Sequence, residues 1–128
     1  LIDIVGEKRA KEFEEGHYAF VNVWRPVENT IKTSPLGFIR PSSVSKEDWM
    51  TIELIYPDRT GQILGVAAND NHHWFYLSDM TPDEISIFNI YDNCGRPFLG
   101  HSALDMDDTR DGLPPRKSVE SRTLVRYK

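Results

Sequence analysis

The 128-residue chain holds a single cysteine, Cys94, which excludes an intrachain disulfide framework and a zinc site built from several cysteines. A reducing compartment is the simpler setting for such a chain, and a cytoplasmic location is expected. Basic charge is also scarce. Fifteen Lys and Arg stand against 20 Asp and Glu, a formal net charge of −5, with no basic block. Such a chain is a poor candidate for nucleic acid or for an anionic membrane surface. No apolar stretch approaches the ~20 residues of a spanning helix. The longest uncharged run, around Gly61–Asn69, is broken by Gln62 and Gly65. No HExxH, CxxC, P-loop or GxSxG pattern occurs. The opening Leu1–Gly6 has neither the basic start nor the apolar length of a signal peptide. A chain that opens on Leu1 rather than Met is expected to be a fragment, a processed chain or a portion of something longer.

Hydrophobic residues make up 39% and charged residues 27%, which suits one globular domain over residues 1–128. Glu7–Glu15 reads as a short helix that Gly16 can stop. His17–Val27 reads as a strand with Tyr18, Phe20, Asn22 and Trp24 on one face, and Pro26 ends its ladder. Leu36–Ile39 is a short strand, and Ser45–Trp49 is a helical turn capped by Ser45. Thr51–Tyr56 and Gln62–Ala67 flank Pro57–Gly61, the pattern of a hairpin. His72–Leu77 and Ile85–Tyr91 read as strands around a polar turn, Ser78–Glu84, which could also start a short helix. Arg96–Leu104 reads as a strand, Asp105–Pro115 as an acidic loop and Lys117–Tyr127 as a final strand. Ser118, Glu120 and Arg122 share one face of that last strand. Strands at this spacing predict an all-β, jelly-roll or double-stranded β-helix-like sandwich with a short N-terminal helix.

Four histidines, His17, His72, His73 and His101, are scattered without ligand spacing. Two stretches stand out. His101 is followed on the next strand by Arg116 and Ser118, whose i, i+2 spacing puts both side chains on one sheet face. An arginine fork beside a hydroxyl suits a carboxylate, and a neighbouring imidazole could hold a metal that the same ligand chelates. The plainer alternative is a strand edge with solvated Arg and Ser. The second stretch, His73–Met80, is either an aromatic pocket wall or core packing, with the Tyr76 hydroxyl as its polar exception.

Four segments together resemble a known family: Val21-Asn22-Val23-Trp24-Arg25-Pro26, Pro35-Leu36, His73 through Glu84, and His101-Ser102-Ala103 with Pro115-Arg116-Lys117-Ser118-Val119-Glu120-Ser121-Arg122. Their order and spacing resemble the fungal hydroxylase/desaturase family of secondary metabolism, which includes gibberellin desaturase-like and cephalosporin methoxylase-like proteins. That family is similar to the non-haem iron, 2-oxoglutarate-dependent oxygenases, whose facial triad of two histidines and a carboxylate leaves positions open. The resemblance implies Fe(II) and 2-oxoglutarate as cofactors and a small natural product as substrate. It implies that His101 is an iron ligand and that Arg116 with Ser118 grips the distal carboxylate of 2-oxoglutarate, with Arg122 as the fallback. Asn22, Arg25, His73 and Tyr76 would lie near the cofactor or substrate.

The chain departs from the family in two places. The family's H-x-D element, which supplies the first histidine and the carboxylate, lies upstream of the "NVWRP" strand. Here His17 is followed by Tyr18-Ala19. In Phe38–Val44, Arg40 and Ser42 stand where an aspartate and an arginine are usual. The resemblance therefore implies the C-terminal part of an oxygenase-like β-sandwich, incomplete at its N-terminus, with part of the iron site missing. The alternative is a non-catalytic β-domain that binds a small molecule or acts as a structural subunit. Either would expose sheet edges for a homo- or hetero-oligomeric partner to cover. A hydrolase built on Cys94 or on a serine lacks a supported base-plus-nucleophile arrangement.

Overall fold

The computed structural model describes residues 1–106 and 112–128; part of the expected acidic loop Asp105–Pro115 thus lies outside the described residues. Two helices open the chain: α1 (Ile2–Val5), a single turn that the sequence reading missed, and α2 (Glu7–Glu14). Gly6, at φ +79°, makes the break between them. α2 is polar except for Ala10, which is buried, and Phe13, whose ring meets Tyr18 edge-on at 6.1 Å.

The expected all-β, jelly-roll-type architecture is present. β1 (Tyr18–Pro26) is the centre of one antiparallel sheet, between β6 (Ser86–Asp92) and β8 (Ser118–Arg126). β2 (Leu36–Ile39) is the centre of a second, between β5 (Trp74–Tyr76) and β7 (His101–Ala103). β3 (Trp49–Ile55) and β4 (Thr60–Val66) form a separate hairpin. All four β2 residues are buried, and Phe38 crosses to Phe88 of β6 with ring centroids 4.9 Å apart at 72°. Trp24, Ile31, Leu36, Phe38, Met80 and Phe88 form the core between the two sheets, with Ile90 and Leu99 packed against it. The β1–β6 register skips Ile90, so β6 bulges there and directs the extra residue to the core.

Two expected boundaries move. The hairpin pairs Ile55 with Thr60, and the Tyr56 amide donates to the Arg59 carbonyl at 2.9 Å. The turn is therefore tighter than Pro57–Gly61, because Thr60 and Gly61 already belong to the ladder. Of Arg96–Leu104, only His101–Ala103 is strand. Gly95 sits at φ +79° and Pro97 has no N–H to donate, so the chain is tied to β6 by isolated bonds, Leu99 N–H to the Asn89 carbonyl and Asn89 Nδ2 to the Pro97 carbonyl. Ser78–Glu84 stays a turn: the Glu84 carboxylate accepts from both the amide and the hydroxyl of Thr81.

The hairpin base is pinned by Asp48. It accepts from Asn69 Nδ2 at 3.1 Å and the Ser45 amide at 2.8 Å, and pairs with His72 Nε2 at 3.0 Å. These bonds, His72's above all, hold the Asp48 carboxyl well below the usual carboxylate range. Ser45 caps the turn as expected, within a reciprocal capping box with Asp48.

Candidate functional site

His101 opens β7 opposite Phe38, and its ring packs against Phe88 at 4.6 Å. It therefore faces the space between the sheets. Its Nδ1 lies 3.1 Å from the Leu99 carbonyl. A carbonyl only accepts, so Nδ1 carries the proton and Nε2 keeps the lone pair of the neutral ring. A main-chain carbonyl on one ring nitrogen is the usual device for orienting a metal-ligating imidazole. Nε2 stands 3.9 Å from Glu120 Oε2, with the two side chains 25% and 34% exposed.

Glu120 arrives from the facing sheet. β8 pairs with β1 as Ser118–Pro26, Glu120–Trp24 and Arg122–Asn22, and directly opposed residues share a face. Pro26, Trp24 and Asn22 are buried, so Ser118, Glu120 and Arg122 look inward together. Asn22 is fully buried and donates Nδ2 to Glu120 Oε1 at 2.8 Å; its Oδ1 has no hydrogen-bond partner among the described residues. An unpaired buried acceptor of this kind costs about 1–3 kcal/mol. Arg116, just ahead of β8, donates Nη1 to the Ser34 carbonyl at 2.8 Å, and its guanidinium carbon lies 5.9 Å from the centre of the Trp24 ring. A cleft of about 390 Å³ reaches His101 from the hairpin side, between Trp49, Leu64, Trp74 and Leu104.

The remaining sequence candidates do not join this group. Arg25 is exposed on the opposite face of β1 from Trp24, and its Nε donates to the Pro26 carbonyl at 3.1 Å. Tyr76 pairs with Gly37, one residue out of phase with Phe38, so it faces away from His101. It lines a different cleft of about 160 Å³ with Ile31, Lys32 and Asp79. His73 is exposed ahead of β5, its amide donating to Ser43 Oγ and its carbonyl accepting from the Arg40 amide. The placement of Tyr76 follows from strand phase: an aromatic run alternates faces, and only Phe75 of β5 shares the side of His101. Glu120 was not among the expected site residues. Its signal was its place between Ser118 and Arg122 on one face, but its partner, Asn22, becomes visible only with the β1–β8 register.

Two antiparallel sheets closed over an aromatic core, with an imidazole on one and an inward-facing Ser, Glu and Arg on the other, define a jelly-roll β-domain. The chain belongs to the family described as "YDMC: Oxidoreductase/YMDC permease-like domain", whose model matches residues 2–126. It is similar to "Hydroxylase/desaturase efuI" of Hormonema carpetanum, 31% identical over 98% of this chain and 46% of the relative. It is also similar to "Alpha-ketoglutarate-dependent dioxygenase phiK" of Fungal sp. (strain ATCC 74256), 32% identical over 94% of this chain and 45% of the relative. The resemblance to fungal hydroxylase/desaturases is thus borne out. Among solved structures, the "iron and alpha-ketoglutarate-dependent endoperoxidase NvfI" superposes with a TM-score of 0.88 over 98% of this chain and 47% of its own, at 23% identity. That likeness establishes the fold. The chain spans about half the length of the curated relatives it matches.

Proposed function

We propose that this chain is the C-terminal part of an Fe(II)- and 2-oxoglutarate-dependent oxygenase-type β-sandwich, which hydroxylates or desaturates a small natural product. The observation that carries this reading is His101, whose Nε2 is left bare by the Leu99 contact and faces the strand bearing Ser118 and Arg122. The similarity to the alpha-ketoglutarate-dependent dioxygenase phiK and the hydroxylase/desaturase efuI supports the same chemistry.

The residues present fit iron in part. His101 would supply one imidazole nitrogen; the second histidine and the carboxylate would come from the half of the fold beyond this chain. Bound iron with 2-oxoglutarate would supply oxygen activation. Arg116 would hold the distal carboxylate of 2-oxoglutarate with its planar fork, with Ser118 adding a hydroxyl and Arg122 as the alternative cation. Asn22, through Glu120, would fix the inward face of β8 against His101.

The short, open edges also suit a partner. Trp74, Phe75 and Leu77 on and beside β5 and Ile87 on β6 are each at least 42% exposed. Both three-stranded sheets end in unpaired strands among the described residues. The missing half of the sandwich would cover these edges, and a homo- or hetero-oligomer is the other way to do so. Among the described residues no helix is long and apolar enough to cross a membrane. A cytoplasmic setting is the reading that the single cysteine supports.

One observation favours a second reading, a non-catalytic β-domain: Arg116 already gives Nη1 to a main-chain carbonyl, as a structural arginine would. Binding of 2-oxoglutarate to the complete sandwich, with Arg116→Ala alongside, separates the two. The oxygenase reading expects affinity that the substitution abolishes. The non-catalytic reading expects none in either protein.

A further inference from the structure

At the far end of β1, about 16 Å along the strand from Asn22 at 3.3 Å per residue, lies a second group of chemically capable side chains. His17, Asp92 and Cys94 present ligand atoms that all lie within 4.8 Å of one another. His17 Nε2 is 2.8 Å from Asp92 Oδ2, and the Asp92 side chain is only 1% exposed. The other Asp92 oxygen, Oδ1, accepts from the Cys94 amide at 2.8 Å. Asn93 ties the same turn to the start of β1 twice, accepting from the Tyr18 amide and donating to the Gly16 carbonyl, both at 2.8 Å. The His17 ring is stacked on Tyr127, 4.2 Å between centroids. Two of the three side chains are therefore held before any ion arrives.

We propose that His17, Asp92 and Cys94 form a binding site for a divalent zinc-class ion, separate from the His101 site and independent of the oxygenase reading. Hydrogen bonding alone accounts for the His17–Asp92 pair. The Cys94 thiol makes only a long contact, 3.7 Å, to Asn93 Oδ1, and the turn pinned at Asn93 brings it within 4.8 Å of both partners of that pair. An imidazole, a carboxylate and a thiolate together form an N/O/S set that selects zinc over the hard cations. Bonds of 2.0–2.3 Å in a tetrahedron put ligand atoms about 3.4 Å apart. The His17–Asp92 separation opens slightly to reach this, and the Cys94 thiol closes in by rotating. Cys94 is exposed, and rotation of its side chain gives up only the 3.7 Å thiol contact to Asn93 Oδ1. Binding releases the Cys94 thiol proton, His17 ligates through Nε2 as the neutral ring with its one proton on Nδ1, and a solvent molecule completes the fourth position. The ion would clip the turn after β6 to the residue that precedes β1.

The test uses the reduced 128-residue chain and two probes, Co(II) and Zn(II), each alone. One Co(II) per chain should give thiolate-to-cobalt charge-transfer absorption that Zn(II) abolishes by displacement. Cys94→Ser, a change at an exposed side chain, should remove the band. It should weaken Zn(II) binding at least about tenfold, the loss that follows even from removing an outer partner of a metal ligand. His17→Gln should weaken binding likewise, and His101→Ala should leave the band intact. In the unaltered chain, Zn(II) should slow alkylation of Cys94. Cobalt uptake without the band, a band that survives Cys94→Ser or vanishes in His101→Ala, or alkylation indifferent to Zn(II) would overturn the proposal.

Discussion

Glu120 joins the two sheets: one carboxylate oxygen accepts from Asn22 Nδ2 at 2.8 Å, and the other stands 3.9 Å from His101 Nε2. The contact with His101 is too long for a hydrogen bond. The Leu99 carbonyl takes the imidazole proton on the other side of the ring. His101 is thus presented with a free nitrogen beside a carboxylate held from beneath by a buried amide.

This arrangement fixes a tautomer. Long-range nitrogen–proton correlation spectra of the neutral chain should show His101 as the Nδ1–H form. The Nε2–H form, as the dominant species, would contradict the orientation argued here.

Asn22→Ala should destabilise the chain by about 1–3 kcal/mol in urea unfolding, with the low end favoured. The Asn22 Nδ2 bond is lost, but Glu120 is 34% exposed and regains a partner from water. The substitution also deletes the unpaired Oδ1, which offsets part of the cost.

Gly37 is required by close approach. A Cβ built there would lie 2.4 Å from Leu104 Cγ. Gly37→Ala should cost about 1–3 kcal/mol by overpacking. Leu104→Ala in the same chain should recover part of that loss, so the two changes should be less than additive in a double-mutant cycle. Full additivity would mean that the steric contact is not what Gly37 protects.

Acid should weaken the fold through three depressed carboxyls. His72, Asn69 and Ser45 lower Asp48. The amide and hydroxyl of Thr81 lower Glu84. Burial opposes ionisation of Asp92, but the His17 bond and the Cys94 and Arg96 amides outweigh it. A carboxyl depressed in the folded state stabilises above its unfolded pKa, about 4, and that contribution disappears as pH falls towards the folded value. Thermal unfolding followed from about pH 7 to about pH 2 should show the midpoint falling below about pH 4. Asp48→Asn should flatten that fall. An unchanged slope would remove Asp48 from the account.

The strand framework was legible because β1, β6 and β8 each have a face whose residues follow a period of two, β2 is a short apolar run, and the Ser45 cap and the Pro57-Asp58 turn are local chemistry. What the sequence could not carry was phase between strands. The aromatic run His73–Met80 suits a pocket wall or core packing equally, and only pairing with Gly37 turns Tyr76 away from His101. Arg25 lies one residue from Trp24 and therefore on the other face of β1. Glu120 acquires its place from a β1–β8 register that no local pattern encodes. Likewise, His17 and Cys94, 77 positions apart, meet only because β1 and β6 pair with Ala19 opposite Asp92.

The central claim is that this chain supplies one iron-binding imidazole and the 2-oxoglutarate clamp, while the other half of the sandwich supplies the rest. The most direct test is anaerobic titration with Fe(II) and 2-oxoglutarate, read by the visible charge-transfer absorption of the ternary complex. The chain alone should bind Fe(II) weakly and show no band. With the N-terminal half of the fold supplied, covalently or in trans, one Fe(II) and one 2-oxoglutarate should bind. His101→Ala should then remove the band, and Arg116→Ala should lose 2-oxoglutarate affinity while iron remains. Tight stoichiometric iron at the His101 site of the chain alone, or a band indifferent to His101→Ala in the completed protein, would contradict the account.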